Sequence, residues 1–229
     1  MSSREFDVST RVESYAETHL VPPEPGFTHA HENTVYSDIA LTPTQGKFFS
    51  LLSTISGARN VLELGTLGGY SSLWFAKSLR ERQGKITTIE LDSSRHRVAV
   101  QNIRSAGVKV PEEVEAINGA ALDILPKLEA EIEKGNRERF DFVFIDADWG
   151  NMSRYFDYGV RLSKGKGSVI CVDNVGQSLV YSGAMRTGRK SKTGDSLVEM
   201  VGEDSRVDAV LSQTMGNKGL DGFLMAIVK

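Results

Sequence analysis

Oxygen-bearing side chains collect where short apolar runs of this sequence end. Glu63 lies in the run 61–64, and Glu90 closes the run 85–90. Asp146 and Asp148 follow 140–145, and Asp173 with Asn174 follows 168–172. If these runs are parallel strands, their ends share one edge of a sheet, and the acids repel one another unless protons or a cation compensate. An Asp or Asn ahead of a helix is also a good N-cap. That accounts for any one of these residues but hardly for the set. With no His or Cys beside them, an all-oxygen set selects Mg²⁺, Mn²⁺ or Ca²⁺ over zinc.

A second feature is the segment 61–71, Val-Leu-Glu-Leu-Gly-Thr-Leu-Gly-Gly-Tyr-Ser. A strand that runs into Gly65, Gly68 and Gly69 and then into a helix lets backbone approach a ligand closely at the strand's carboxyl end. The spacing is not G-x-G-x-x-G, and the Glu63 carboxylate would repel a pyrophosphate. A cofactor bearing a sulfonium and an ammonium has the opposite preference. Glu90, 25 residues after Gly65, suits the hydroxyl pair of a ribose, a role shared by nicotinamide and S-adenosylmethionine folds. Together with Glu63 it favours S-adenosylmethionine.

The elements that must position these residues follow from periodicity and punctuation. Residues 9–20 read as an amphipathic helix capped by Ser9 or Thr10, with Val12, Tyr15, Ala16 and Leu20 on one side. Pro22, Pro23 and Pro25 end it, and 21–41 reads as an irregular connector. A helix opens at Thr42-Pro43 and ends near Gly57. Strands at 61–64, 85–90, 114–117, 140–145 and 168–172 then alternate with helices at 70–82, 93–106, 120–134 and up to Leu162. That alternation predicts a doubly wound, Rossmann-like α/β sheet with helices on both faces. After a helix near 195–202, strands at 207–212 and 223–228 are separated by a glycine-rich segment without a helix, predicting a seventh strand and an antiparallel C-terminal hairpin. Trp74, Phe75, Phe48 and Phe49 read as core, and His96 as solvated surface. Residues 182–194 are the most loop-like, and their Arg186, Arg189, Lys190 and Lys192 read as a solvated cluster rather than an anion site.

At 229 residues one domain, 1–229, is expected, large enough to bury a core without staples. The net charge is −3 with Lys and Arg scattered, so no basic field awaits a nucleic acid. Cys171 is the only cysteine, which excludes a disulfide framework and a thiolate metal site. No run approaches the roughly 20 apolar residues of a membrane span, and the first residues lack the apolar run of a signal peptide. A cytoplasmic protein is expected.

Five pieces carry a family resemblance: Leu-Thr-Pro-Thr-Gln-Gly (41–46), Leu-Glu-Leu-Gly-Thr-Leu-Gly-Gly-Tyr-Ser (62–71), Asn-Gly-Ala-Ala-Leu (118–122), Phe-Asp-Phe-Val-Phe-Ile-Asp-Ala-Asp (140–148) and Val-Asp-Asn-Val (172–175). In this order and spacing, the chain from about residue 11 onward resembles the cation-dependent O-methyltransferases of the caffeoyl-CoA and catechol type. The resemblance implies Asp146, Asp173 and Asn174 as metal ligands for Mg²⁺, Mn²⁺ or Ca²⁺. It implies Thr42, Glu63, Gly65, Thr66, Ser71, Glu90, Ala121, Asp146, Asp148 and Tyr155 as contacts to S-adenosylmethionine. It also implies that residues 1–41 form a lid over a small hydroxylated substrate, and that the chain is a homodimer. The family carries Lys directly after its Asp-x-Asp run, often regarded as the base that takes the hydroxyl proton. Here that position is Trp149, read instead as an aromatic wall beside the acceptor, and Gly176-Gln177-Ser178 replace a bulkier segment of the plant enzymes. His29 and His31 in the connector could reach the site if it folds over as a lid.

The expected reaction is therefore methyl transfer from S-adenosylmethionine to a hydroxyl, with Asp146 at its centre and a catechol-like acceptor. Three rivals share some of these features: a tRNA-modifying methyltransferase, a cofactor-binding protein without turnover, and a nicotinamide oxidoreductase.

Overall fold

Strand-forming and helix-forming runs alternate through the middle of the chain. The computed structural model, which describes residues 3–182 and 196–229, stacks them as helices on both faces of one sheet. Strands β1 (Asn60–Leu64), β2 (Lys85–Glu90), β3 (Val114–Asn118), β4 (Phe142–Ile145) and β5 (Val169–Val172) are parallel. Strands β6 (Val207–Gly216) and β7 (Gly219–Val228) form an antiparallel hairpin that docks on β5. The order is β3-β2-β1-β4-β5-β7-β6, so the winding reverses between β1 and β4. Open α/β sheets bind ligands at that point, beyond the carboxyl ends of the strands.

Burial on both faces explains why the central strands are apolar throughout: all four residues of β4 and all four of β5 are buried. On one face Phe49, Leu73, Trp74, Phe75 and Ile103 pack from helices α3 (Pro43–Ile55), α4 (Tyr70–Leu79) and α5 (Ser93–Ser105). On the other, Leu125, Leu128, Phe156, Leu162 and Val201 pack from α6 (Ala121–Glu133), α7 (Met152–Leu162) and α9 (Leu197–Glu203). Register aligns the functional edge. Leu64 pairs with Ile89 and Ile145, and Ile145 with Val172. One further rung, Gly65 N to Ile89 O at 3.0 Å, Asp146 N to Leu64 O at 2.8 Å and Asp173 N to Ile145 O at 2.8 Å, sets the next residues level.

Several boundaries differ from expectation. Helix α1 runs over Ser3–Leu20, not 9–20. The hydroxyls of Ser9 and Thr10, expected as caps, donate back to the Phe6 carbonyl inside the helix. The connector is not irregular throughout: α2 (Pro25–Glu32) opens with Pro25 in its first turn, and a 3-10 turn covers Ser37–Ile39. Proline ends one helix and begins the next for the same reason, since it lacks the amide hydrogen that only helix interiors need. Phe140 makes an isolated bridge to Ser163, and β4 starts at Phe142. Helix α8 (Val175–Ser182) occupies a stretch to which the sequence reading assigned no element. The terminal strands do not stop at the glycines; they continue to a two-residue turn at Asn217-Lys218. Gly222 permits this, because a Cβ there would lie 2.6 Å from the Ser212 carbonyl oxygen across the hairpin. Phe48 is exposed rather than core, and His96 is half-buried with Nε2 3.2 Å from the Ala116 carbonyl. The basic cluster Arg186, Arg189, Lys190 and Lys192 lies outside the described residues.

Candidate active site

A cavity of about 1550 Å³ opens at this edge of the sheet. Pockets for one small ligand span roughly 300–1,000 Å³, so there is room for a cofactor and an acceptor together. Gly65, Thr66, Ser71, Glu90 and Ala121 line one end; Asp146, Asp173 and Asn174 line the other, and Thr42, Asp148, Trp149 and Tyr155 also face it. Of the metal ligands and cofactor contacts that the resemblance implies, Glu63 alone does not line the cavity. The N-terminal segment covers the acidic end with Val12, Ala16, Ile39 and Leu41. Thr42 caps α3 through a capping box with Gln45, which fixes the entry of that helix.

The glycine turn works differently from its sequence reading. A Cβ on Gly65 (φ 96°) would stand 1.8 Å from the Asp146 carbonyl oxygen, and one on Gly68 would stand 1.6 Å from Thr34 Oγ1. A Cβ on Gly69 would meet Ile103 Cγ1 at 2.9 Å. The space these residues leave empty is filled by protein: the β4 end, the connector and α5. The glycines draw the chain tightly around the site and do not themselves make room for the ligand.

Glu63 lies beneath the cavity floor, fully buried. Its Oε2 accepts hydrogen bonds from Ser72 Oγ and, at 2.6 Å, from Thr88 Oγ1, while Oε1 has no partner. Burial pushes its pKa up, with the Ser71, Ser72 and Thr88 hydroxyls opposing. Glu90 is buried too, held by the amides of Leu67 and Asp92, each at 2.9 Å from a different carboxylate oxygen. Its remaining lone pairs face the cavity. Asp148 accepts from Tyr155 Oη at 2.5 Å and Asn151 Nδ2 at 2.7 Å, and burial with this contact raises the Tyr155 pKa.

At the acidic end, no described side chain donates a hydrogen bond to Asp146 or Asp173. Burial followed by the nearby Asp221 lifts Asp173 to about 7, against the pull of the Asn174 amide and Lys218. Loss of solvent, then Asp173 and Glu63, raise Asp146 well above the carboxylate range. Asn174 sits in the left-handed region (φ 57°), which Asn tolerates better than most residues. Its Nδ2 donates to Asp221 Oδ2 at 2.8 Å, so its Oδ1 is the free acceptor. Asp221 is fixed by the amides of Gln177 and Gly222 at 3.0 and 2.7 Å. Among the described residues no three His, Cys, Asp or Glu side chains converge as a metal cluster. Two carboxylates and an amide oxygen are what this edge offers a hard cation.

Residues 25–220 match the family model described as O-methyltransferase. The chain is 40% identical to an Aspergillus flavus protein named O-methyltransferase imqG, covering 95% of this chain and 90% of that one. The chain belongs to the O-methyltransferase family. It is also 37% identical to a catechol O-methyltransferase of Mycobacterium tuberculosis over 95% of both chains. Among solved structures, the O-methyltransferase TomG of Streptomyces achromogenes, in complex with SAM, superposes with a TM-score of 0.85 at 34% identity over all of both chains. A nicotinamide oxidoreductase is thereby set aside.

For an O-methyltransferase the remaining question is what meets the acceptor. Trp149 stands in a 3-10 turn (Trp149–Asn151), 41% exposed, and stacks on Tyr181 of α8 with centroids 5.6 Å apart. Neither His29 nor His31 lines the cavity; His29 contacts Asn33, and His31 packs edge-on against Tyr70. Gln177, noted as part of Gly176-Gln177-Ser178, lines the cavity, and so do Lys218 and Asp221, which sequence reasoning missed. Asp221 had a local signal, an acid directly before Gly222 in the terminal glycine-rich stretch. Lys218 lies in the glycine-rich segment expected between the last two strands, but nothing in the sequence shows that this tip folds over the sheet edge.

Proposed function

We propose that this O-methyltransferase transfers the methyl group of S-adenosylmethionine to a hydroxyl of a small, catechol-like aromatic molecule. Asp146, Asp173 and Asn174 hold a divalent cation, Mg²⁺ or alternatively Mn²⁺ or Ca²⁺. The observation that carries this reading is the pair Asp146 and Asp173, side by side without a side-chain donor and facing the same cavity as Glu90. Such carboxylates are costly unless a cation joins them. A divalent ion there supplies Lewis acidity, which lowers the pKa of an acceptor hydroxyl. Glu90, braced by two amides, accepts from the ribose hydroxyls, and Gly65, Thr66, Ser71, Ala121, Asp148 and Tyr155 line the cofactor's bed. Glu63 contributes negative charge from beneath. Trp149 gives an aromatic ring a wall to lie against and carries no base. No acid need protonate the leaving group, because a neutral thioether departs.

Residues 1–41 act as a lid, with α1 and the connector covering the acceptor end. The exposed Val8, Val12, Tyr15 and Leu20 of α1 and Leu51 and Ile55 of α3 supply the apolar surface of a homodimer. No described helix is long and apolar enough to cross a membrane, and we place the protein in the cytoplasm.

The test is turnover of a catechol panel with S-adenosylmethionine, with Mg²⁺ and with EDTA, alongside calorimetry of S-adenosylhomocysteine. Methylation that needs Mg²⁺ is expected. Full activity in demonstrably metal-free protein would reject the cation site. Tight cofactor binding without methylation of any hydroxyl would leave a binding protein or a different acceptor class.

A further inference from the structure

When an oxygen accepts a methyl group, its negative charge must be held while its proton leaves. Among the described residues lining the cavity, two carry a positive charge, Arg95 and Lys218. Arg95, on α5 beyond the Glu90 end, holds its guanidinium 5.1 Å from the centre of the Tyr36 ring. Lys218 belongs to the acidic end.

Its position is built by three elements. A Cβ on Gly216 would stand 2.0 Å from Glu13 Oε2, and the Asn217 amide donates to that same oxygen at 2.6 Å. Helix α1 therefore grips the hairpin tip. Lys218 itself is exposed at the rim, but its ammonium turns inward and donates to the Ala40 carbonyl of the connector. The carboxylates that act on it come from every side: Asp146 after β4, Asp173 after β5, Asp38 in the connector and Glu13 on α1. An ammonium has three N–H groups, and one is engaged by Ala40.

We propose that Lys218 is an acceptor-binding residue whose ammonium donates a hydrogen bond to the oxygen that receives the methyl group. The inference rests on the function proposed above. In the step, the acceptor's O–H bond breaks and its proton passes to water. The oxygen's electron pair forms the bond to the methyl carbon, and the carbon–sulfur bond breaks with its pair left on sulfur. Lys218 keeps its protons throughout.

The probe is 4-nitrocatechol, whose visible spectrum changes when it ionises. It is titrated with pH on the wild-type protein, K218M and K218R, each with Mg²⁺ and S-adenosylhomocysteine. Loss of a charged donor should raise the bound phenol's apparent pKa by about 1–2 units in K218M and lower kcat/KM roughly 10- to 100-fold. K218R should recover most of both. The thermal midpoint of K218M should fall by only the about 2–4 °C that the lost bond to Ala40 costs, and S-adenosylhomocysteine affinity should change far less than kcat/KM. An unchanged bound spectrum in K218M, or a matching fall in S-adenosylhomocysteine affinity, would overturn the proposal by leaving Lys218 only its clasp on the lid. If the wild-type protein gives no spectral change with 4-nitrocatechol and Mg²⁺, the catechol reading itself fails, and the role of Lys218 falls with it.

Discussion

Asn102 is a buried amide on α5 with two distant duties. Its Nδ2 donates to the Gly68 carbonyl of the cofactor-end turn at 2.9 Å and to the Ala30 carbonyl of α2 at 3.4 Å. Asn102→Ala removes both donors and leaves the Gly68 carbonyl without a partner in a place only 2% exposed on the donor side. Ala30 keeps the Thr34 hydroxyl, at 2.5 Å, so its loss is small. An orphaned buried acceptor costs about 1–3 kcal/mol, and truncating the side chain in a packed layer adds to that, for a total of roughly 2–3 kcal/mol. In a protein of this size each kcal/mol moves the thermal midpoint by about 2–4 °C. The expected fall is therefore about 4–12 °C, read by scanning calorimetry. The turn that Asn102 holds also lines the cavity, so S-adenosylhomocysteine should bind several-fold more weakly by titration calorimetry. Thr34→Val removes the hydroxyl's bond to Ala30 alone and should cost about 1 kcal/mol without affecting cofactor affinity. A midpoint for Asn102→Ala within about 1 °C of wild type, with unchanged binding, would refute the argument that this amide ties lid and turn together.

Metal-free stability should depend on pH with an unusual sign. A carboxyl whose folded pKa is raised costs stability once pH exceeds its unfolded value. Asp173, lifted to about 7, should therefore make the protein in EDTA lose stability between about pH 4 and pH 7, by at most roughly 4 kcal/mol. Urea titrations of wild type and Asp173→Asn isolate this component; identical slopes in the two would contradict it, and in the wild type Mg²⁺ should offset the loss. Glu90→Ala should weaken S-adenosylhomocysteine binding by about tenfold or more, since charged hydrogen bonds are worth about 1.5–3 kcal/mol, and unaltered calorimetric affinity would count against the ribose assignment. Trp149→Ala should mainly raise KM for a catechol, and Trp149→Lys should stay active with its pH profile unmoved or shifted lower. Loss of kcat at unchanged KM in Trp149→Ala would mean the ring does more than pack.

What could be read from the sequence was what repeats along it. Parallel strands announce themselves as apolar runs because both faces are covered, and the acids just past those runs follow the sheet register to a single edge. Asp146 and Asp173 were legible for that reason. What was hidden depended on distance in three dimensions. Gly68 looks the same whether a ligand or Thr34 fills the space above it, 34 positions apart in the chain. Phe48 looks like its neighbour Phe49, yet α3 turns one into the core and the other toward the cavity. The hairpin seemed to break at its glycines because glycine weakens a strand in isolation; here the facing strand's carbonyl occupies the Cβ position of Gly222, so glycine is what allows the pair to continue.

These hidden contacts share one consequence. The N-terminal segment is tied down at both ends of the cavity: at the cofactor end Thr34 fills the space above Gly68, and at the acidic end Ala40 and Glu13 hold the hairpin tip at Lys218 and Asn217. Neither tie is a large apolar interface. Each is one or two hydrogen bonds or a close fit, worth about 1 kcal/mol apiece, beside the packing of Phe27, Ala30 and Leu41 that holds the connector in the core. Helix α1, with Val8, Val12, Tyr15 and Leu20 exposed, is the part of the segment that opens more readily than the core. A ligand touching both the Gly68 turn and the lid would add to the first tie, and an acceptor oxygen on Lys218 would add to the second. Cofactor and acceptor would then each favour the closed lid, and by linkage each would tighten the other's binding even where the two do not touch. On the proposed lid reading, order of the segment would be a shared consequence of filling the two ends, with the exposed α1 helix as the part to move.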